Sequence, residues 1–438
     1  MYELVGPHDW NVSSVFDLAH WKNGLAFKNI DFSDHGRPVI KIAELKNGVS
    51  PQTARTMADY DRSVFVKAGD MLFSWSGNPD TSIDVFRWEG EDGWLNQHIF
   101  KVTAGEGLSD PFLFFLLKWL RPRFAEIARN KQTTGLGHVT IQDLKRMRVA
   151  VPNEKEQSKI VQIIGPLQEK IDLIRQMNET LEAMARAIFK DWFVDFGPTR
   201  AKMAMRGEDP QKHNVARAPY LAPDIWVLFP DRLDDEGKPE GWRLGTLGDV
   251  AQQVGESVKP EALDPGTPYI GLEHMPRKSI ALSDWDGADK VSSGKLAFRK
   301  GDFLFGKLRP YFHKVGIAPV DGICSTDIVV LNSRKREAAA FVLACISQDE
   351  FVAFTDRTSD GTKMPRTSWG RMERYSLCIP NQAVLKSFNE CIEPMLERIV
   401  ANIHESRTLA ATRDLLLPKL MSGEIRVRDA EKLVGEAT

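Results

Sequence analysis

The feature that most constrains this chain is an internal repeat with a period near 230 residues. Trp10-Asn-Val-Ser-Ser-Val-Phe-Asp17 matches Trp242-Arg-Leu-Gly-Thr-Leu-Gly-Asp249, an offset of 232. Lys67-Ala-Gly69-Asp70-Met-Leu-Phe73 matches Arg299-Lys-Gly301-Asp302-Phe-Leu-Phe305 at the same offset, and Pro38-Val-Ile-Lys-Ile42 matches Pro268-Tyr-Ile-Gly-Leu272 at 230. Asn96-Gln-His-Ile99 aligns with Ser325-Thr-Asp-Ile328 at 229, and Val149-Ala-Val-Pro152-Asn153 with Leu377-Cys-Ile-Pro380-Asn381 at 228. The blocks keep their order while the offset drifts, which is what loops of varying length between shared strands produce. So long a period is not that of a solenoid. It describes two homologous halves, each a globular domain with an appendage.

The appendages follow each Pro-Asn. Ile160, Leu167, Ile174, Leu181 and Ile188 recur every seven residues with Ile171 interleaved, and the second half repeats the stripe at Phe388, Ile392, Met395, Ile399, Ile403 and Leu409. Apolar 3–4 spacing with charged residues on the other faces predicts two long helices packed as a coiled coil. Residues 154–194 would span about 60 Å as helix, too long to lie on one such domain. Pro166 and Pro394 fall at equivalent positions, and each predicts a break or a fresh helix start.

The globular parts alternate apolar and polar residues in short runs, such as Met71-Leu-Phe-Ser and Ile328-Val-Val-Leu, beside Gly-Asp or Asn-Gly turns. Residues 111–128 and 338–354 read as helices. The expected class is α+β, with a mixed sheet plus helices in each of two homologous domains and a pseudo-two-fold repeat. The expected boundaries are a first domain over 1–152, a helical region over 153–196 and a Pro-rich linker over 197–238. A second domain over 239–380, a second helical region over 381–426 and a tail over 427–438 complete the chain.

Composition excludes several classes. Lys plus Arg number 58 against 60 Asp plus Glu, a net charge of −2, so the chain is not a uniformly basic nucleic-acid binder, although local patches are permitted. The longest apolar stretch, residues 111–120, is about half what a spanning helix needs. The beginning MYELVGPHDW does not read as a signal peptide, and the four cysteines form no Cys-x-x-Cys pair. The expectation is a reduced, cytoplasmic protein with no membrane partner and no metal site.

No phosphate-binding Gly-rich loop, His-Glu-x-x-His or amino-methyltransferase box occurs. Pro230-Asp231 with Glu236-Gly-Lys238 imitates a nuclease signature, but it lies in the Pro-rich stretch and is read as chance recurrence. No catalytic residues are expected. What the chain does hold is local positive charge: residues 118–148 carry eight Lys and Arg against two acids. Lys131, Gln132, Thr133, Gly135 and His138 form a polar loop there, and its counterpart holds Arg357, Lys363 and Arg366. Lys307, Arg309, His313 and Lys314 follow the second Gly-Asp turn, where the first half has Ser74, Trp75 and Ser76. Gln97 and His98 face Thr326 and Asp327 in the alignment. Cations suit phosphate, while amides and hydroxyls suit base edges, so these residues are the candidate DNA-binding set.

Three phrases carry a family resemblance: Leu181-Glu-Ala-Met-Ala-Arg-Ala-Ile-Phe-Lys-Asp-Trp-Phe-Val-Asp-Phe196, Lys238-Pro-Glu-Gly-Trp242-Arg-Leu-Gly-Thr-Leu-Gly-Asp249 and Leu415-Leu-Leu-Pro-Lys-Leu-Met-Ser-Gly-Glu-Ile425. Together they resemble the specificity subunits of Type I restriction-modification systems over almost the whole chain. Gly6-Pro-His-Asp-Trp10 departs from the Pro-x-Gly-Trp phrase with which that family's first domain usually opens. The resemblance implies a non-catalytic subunit whose two target-recognition domains each read half of a bipartite duplex DNA site. The two long helices would be antiparallel, hold the domains apart, fix the gap between the halves and dock two methyltransferase subunits, with restriction-translocase subunits joining the full complex. S-adenosylmethionine, Mg²⁺ and ATP would bind those partners and not this chain. Different loop residues in the two halves imply an asymmetric target. Two other readings remain open from sequence: the specificity subunit of a restriction class with a fused methyltransferase-nuclease partner, and a coiled-coil scaffold for proteins.

Overall fold

The computed structural model describes residues 2–4, 7, 9–28, 31–132, 135–208, 218–425 and 427. The chain forms two compact units, residues 1–170 with 409–438, and residues 171–408. Both are α+β.

In the first unit, strands Ala19–Asn23, Ile99–Ala104, Met71–Ser74 and Asp84–Arg87 form an antiparallel sheet in that spatial order. The second unit repeats it with Ala251–Val254, Ile328–Ser333, Phe303–Gly306 and Val315–Ile317. Even the register recurs, since Phe73 faces Phe100 and Phe305 faces Val329. A second sheet in each unit has one parallel pair, Arg37–Ile40 with Gly93–Leu95 and Pro268–Ile270 with Gly322–Cys324. An antiparallel pair closes each domain: Asn11–Ser14 with Met147–Val151, and Arg243–Thr246 with Ser376–Ile379.

The Gly-Asp turn explains why these residue pairs recur. Gly69 and Gly301 have φ of 90° and 89°, a left-handed conformation that L side chains resist. The next residue's carboxylate then accepts from the backbone two positions before the glycine, Asp70 from Lys67 N and Asp302 from Arg299 N, both at 2.7 Å.

The domain helices differ. Asp110–Asn130 is one 21-residue helix, capped by the Ser109 hydroxyl accepting from Phe112 N. The second unit has two helices, Ala339–Ile346 and Asp349–Arg357, where one was expected over 338–354. The break falls at Ser347 and Gln348, and the Ser347 carbonyl is engaged by the buried His313 ring at 3.0 Å.

The long helices run Glu154–Phe189 and Gln382–Met421. In the second unit they are antiparallel: the Asn402 side-chain amide donates to the Asn178 oxygen at 2.7 Å, while Phe189 packs on Phe388. Ile160, Leu167, Ile174, Phe388, Ile392, Ile399, Ile403 and Leu409 are buried, and Ile171, Leu181, Ile188 and Met395 partly so. The breaks expected at Pro166 and Pro394 do not occur, because both helices run through these residues. A proline inside a helix costs roughly 3 kcal/mol, chiefly by orphaning the carbonyl four residues back. Here both prolines and those carbonyl residues, Gln162 and Glu390, lie on the exposed faces of their helices, where an orphaned carbonyl costs least. Buried Ile163, Ile164 and Leu167 around the first, and Ile392 and Leu396 around the second, hold each helix straight through.

The segment expected as a linker is in good part folded. Gly197–Met205 and Pro223–Trp226 are helical, and buried Lys202 donates to the Phe229 carbonyl at 2.6 Å. The apolar residues around it explain the order: Trp192, Phe193, Phe229, Trp242 and Phe388 form one aromatic cluster that a solvated linker would have left open. Residues 209–217 lie outside the described residues.

Candidate nucleic-acid interface

The same three segments meet in each unit, and the backbone that joins them is duplicated. In the first unit Trp75 N donates to the His98 carbonyl at 3.3 Å, and Val139 N donates to the Trp75 carbonyl at 2.8 Å. In the second, Lys307 N donates to the Asp327 carbonyl at 2.9 Å, and Thr367 N donates to the Lys307 carbonyl at 3.0 Å. These pairs are related by the sequence offsets themselves. A strand end, the turn entering the neighbouring strand and the loop before the domain-closing strand therefore form one platform, built twice.

The side chains on that platform differ. In the first unit Trp75 donates through Nε1 to Asn23 at 3.1 Å and its ring lies 5.7 Å from that of His98. Gln97 is adjacent, with its amide 3.4 Å from the His98 ring nitrogen. Ser76 pairs with His138 and Gly77 with Gly137 across a two-residue ladder. The surface is aromatic and polar. In the second unit Arg366 pairs with Asp327 at 2.8 Å, and Arg309 N donates to the Pro365 carbonyl at 2.7 Å. Arg309 has φ 51°, a strained left-handed conformation for a residue with a side chain. Its loop also presents half-exposed Tyr311, while Arg277 stacks over Phe312 at 4.1 Å. This second surface is dominated by charge.

Of the sequence candidates, Trp75, Ser76, Gln97, His98 and His138 come together, as do Lys307, Arg309 and Arg366. Gln132 and Gly135 are exposed on the first loop, and Lys363 on the second. Arg357 is exposed at the end of its helix. Thr133 lies outside the described residues. Four candidates are corrected. Ser74 is wholly buried, because its strand is covered on both faces. His313 is buried too, its ring bonded to Ser347 O and Asp349. Burial pushes its pKa below 6.5 although Asp349 and the carbonyl pull the other way. Lys131 is engaged by the Asp143 carboxylate at 2.6 and 2.5 Å. Lys314 is half-buried with its ammonium on the Leu272 carbonyl, and burial, helped by Arg277, lowers its pKa.

The basic stretch at 118–148 is also less basic than it reads. Asp84 takes Lys118 at 3.1 Å and Arg121 at 3.4 Å, and Asp80 takes Arg129 at 3.0 Å. These acids arrive from a turn and the start of the strand Asp84–Arg87, some forty residues earlier. Asn23 and Arg277 are the neighbours that sequence reading missed, since each belongs to a segment with no chemical signature of its own.

The family model for the Type I restriction modification DNA specificity domain matches residues 7–183. Those residues are therefore similar to Type I specificity domains. The resemblance read from the three phrases is to the same family, and relatives extend it along the chain. The MjaIX Type I restriction enzyme specificity subunit of Methanocaldococcus jannaschii is 22% identical, over 97% of this chain and 95% of its own. The HindI specificity subunit of Haemophilus influenzae is 24% identical, over 96% and 98%. The crystal structure of a Type-I restriction-modification system S subunit from M. genitalium shares the fold, with a TM-score of 0.51 at 14% identity over 96% of this chain and 99% of that one. The matched residues contain the Trp75–His98–His138 platform, and the second unit repeats that platform outside them.

Proposed function

We propose that this chain is the DNA-specificity subunit of a Type I restriction-modification complex, each platform reading one half of a split duplex site. The observation that carries the reading is the platform duplicated bond for bond with its side chains exchanged. One scaffold serves two different readers when the backbone is fixed and the reading groups vary. Tethering two weak readers raises the effective concentration of the second once the first is bound. The paired helices set the gap between the half-sites and dock two methyltransferase subunits, with restriction subunits joining the larger assembly. The chain itself is non-catalytic and works in the cytoplasm; S-adenosylmethionine, Mg²⁺ and ATP belong to its partners. Because the two platforms differ, the target is asymmetric.

The test is a map of modified bases in host DNA with the gene intact and deleted. One bipartite motif with two unlike halves and a fixed gap should lose its methylated adenines on deletion. A palindromic motif overturns the two-reader assignment, and identical maps from cells expressing all subunits overturn the function.

A further inference from the structure

The two copies diverge where they read and agree at a position beside the reader. Arg146 and Arg374 are separated by 228 residues, the offset of the closing strands Met147–Val151 and Ser376–Ile379 that they precede. The structure confirms the equivalence: Val15 N donates to the Met147 carbonyl, and Leu247 N to the Tyr375 carbonyl, both at 2.9 Å. Both arginines are exposed, and among the described residues neither has an ion-pair partner. That sets them apart from Arg121, Arg129, Arg366 and Arg371, whose guanidinium groups are occupied by carboxylates.

The surroundings of Arg374 suit an oxyanion. Arg374, Arg371, Thr358 and Ser368 line an open hollow with Phe354 at its back. It adjoins the 360–366 loop, which Arg371 holds through Asp360 at 2.6 Å. In the first unit, Thr140 stands where Ser368 stands, again at an offset of 228, and the Lys131–Asp143 pair joins the same two segments.

Within one chain, the platform residues are exchanged: Trp75 for Lys307, His98 for Asp327 and His138 for Arg366. The flanking arginine and the hydroxyl residue six positions before it are kept. A group that reads bases must change when the half-site changes, whereas one that grips the phosphodiester backbone meets the same chemistry in any sequence. We infer that Arg146 and Arg374 are the sequence-independent phosphate anchors of the two domains, each setting its platform against the duplex backbone. This rests on the DNA-reading function proposed above and adds to it a division of labour between neighbouring residues.

The experiment uses the full chain in the complex it forms with its partner subunits. Affinity for a duplex carrying the mapped site and for an unrelated duplex is followed against salt concentration, with wild type, Arg146→Gln, Arg374→Gln and the double variant. Each single substitution should weaken binding to both duplexes by a similar factor. Each should lower the slope of log affinity against log salt by about 1, and the double variant by about 2, leaving the preference between duplexes unchanged. Lys307→Gln, on the platform, should change that preference. Unchanged slopes with wild-type affinity overturn the anchor assignment, as does a variant that loses its site preference, which would make the arginine a base reader. Matching thermal unfolding of the variants separates lost contacts from lost fold. If the wild-type complex itself shows no salt-dependent duplex binding, it is the DNA-reading function that fails.

Discussion

Two ion pairs at one position of the repeat show how differently the copies spend the same space. In the first unit Lys131 reaches Asp143; in the second, Asp360 reaches Arg371. The offsets are 229 and 228, so the pair is the same one with its signs reversed. The environments are not the same. The Asp143 side chain is 9% exposed and also takes the Thr140 amide and hydroxyl, whereas that of Asp360 is 79% exposed. One pair is a half-buried strut at the foot of the loop that leads to His138; the other is a surface latch beside an open hollow. The repeat conserves the need for a link between these segments and leaves its polarity free.

The comparison can be broken most severely through what both units share. Ile399→Glu or Ile174→Glu places an unpaired carboxylate in the helix interface and should destabilise the chain by about 3 kcal/mol or more. Thermal unfolding and co-purification of partner subunits would show it, and wild-type behaviour in both would contradict the paired-helix packing.

The next effect separates strut from latch. Asp143→Ala strands a lysine and the Thr140 amide and should cost about 1–3 kcal/mol. Arg371→Ala should cost less than about 1 kcal/mol, as expected for an exposed pair. Equal losses in chemical denaturation would erase the distinction. The acid response gives a second readout. Burial raises the Asp143 pKa, but the bonds from Lys131 and Thr140 outweigh it and hold the group below 3.8. Its stabilisation is therefore complete above that ordinary value and is lost as pH falls through the lower folded-state value. Asp143→Asn should flatten the stability profile in that range.

At the platforms, Trp75→Ala and Lys307→Ala should each weaken duplex binding by about 1 kcal/mol. Only Lys307→Ala should lower the salt slope, because only it removes a cation. Equal salt responses would mean that the two readers work by one chemistry after all.

The smallest expected effect belongs to His313. Its folded-state pKa lies below 6.5, so the unfolded chain takes up the proton first, and stability falls as pH drops below 6.5. His313→Asn should remove that step in denaturation midpoints between pH 7 and 5. A step that survives the substitution belongs to another group.

The repeat, the two long helices, their apolar stripe and the α+β class were all legible in the sequence. Each rests on local periodicity or on recurring turn chemistry, such as Gly69-Asp70 and Gly301-Asp302, and a linear string carries that information in full. The platform segments were legible too, because the offsets aligned Trp75 with Lys307 and His98 with Asp327. The fate of individual charges was not. Lys131 and Asp143 are twelve residues apart, and whether they meet depends on how a helix end and a capped turn pack. Asp80 and Asp84 neutralise a basic helix from a distant turn and strand end, and a count of charge along the chain cannot see them arrive. His313 reads as a surface base until the fold turns it inward onto a carbonyl that breaks a helix. Pro166 and Pro394 read as breaks until burial on either side outweighs one lost hydrogen bond. The sequence alone determined which segments exist and that they come in pairs, because those facts follow from short-range pattern. The tertiary structure alone decided which charges remain free to meet a phosphate, because pairing and burial depend on neighbours that the chain brings together only when folded.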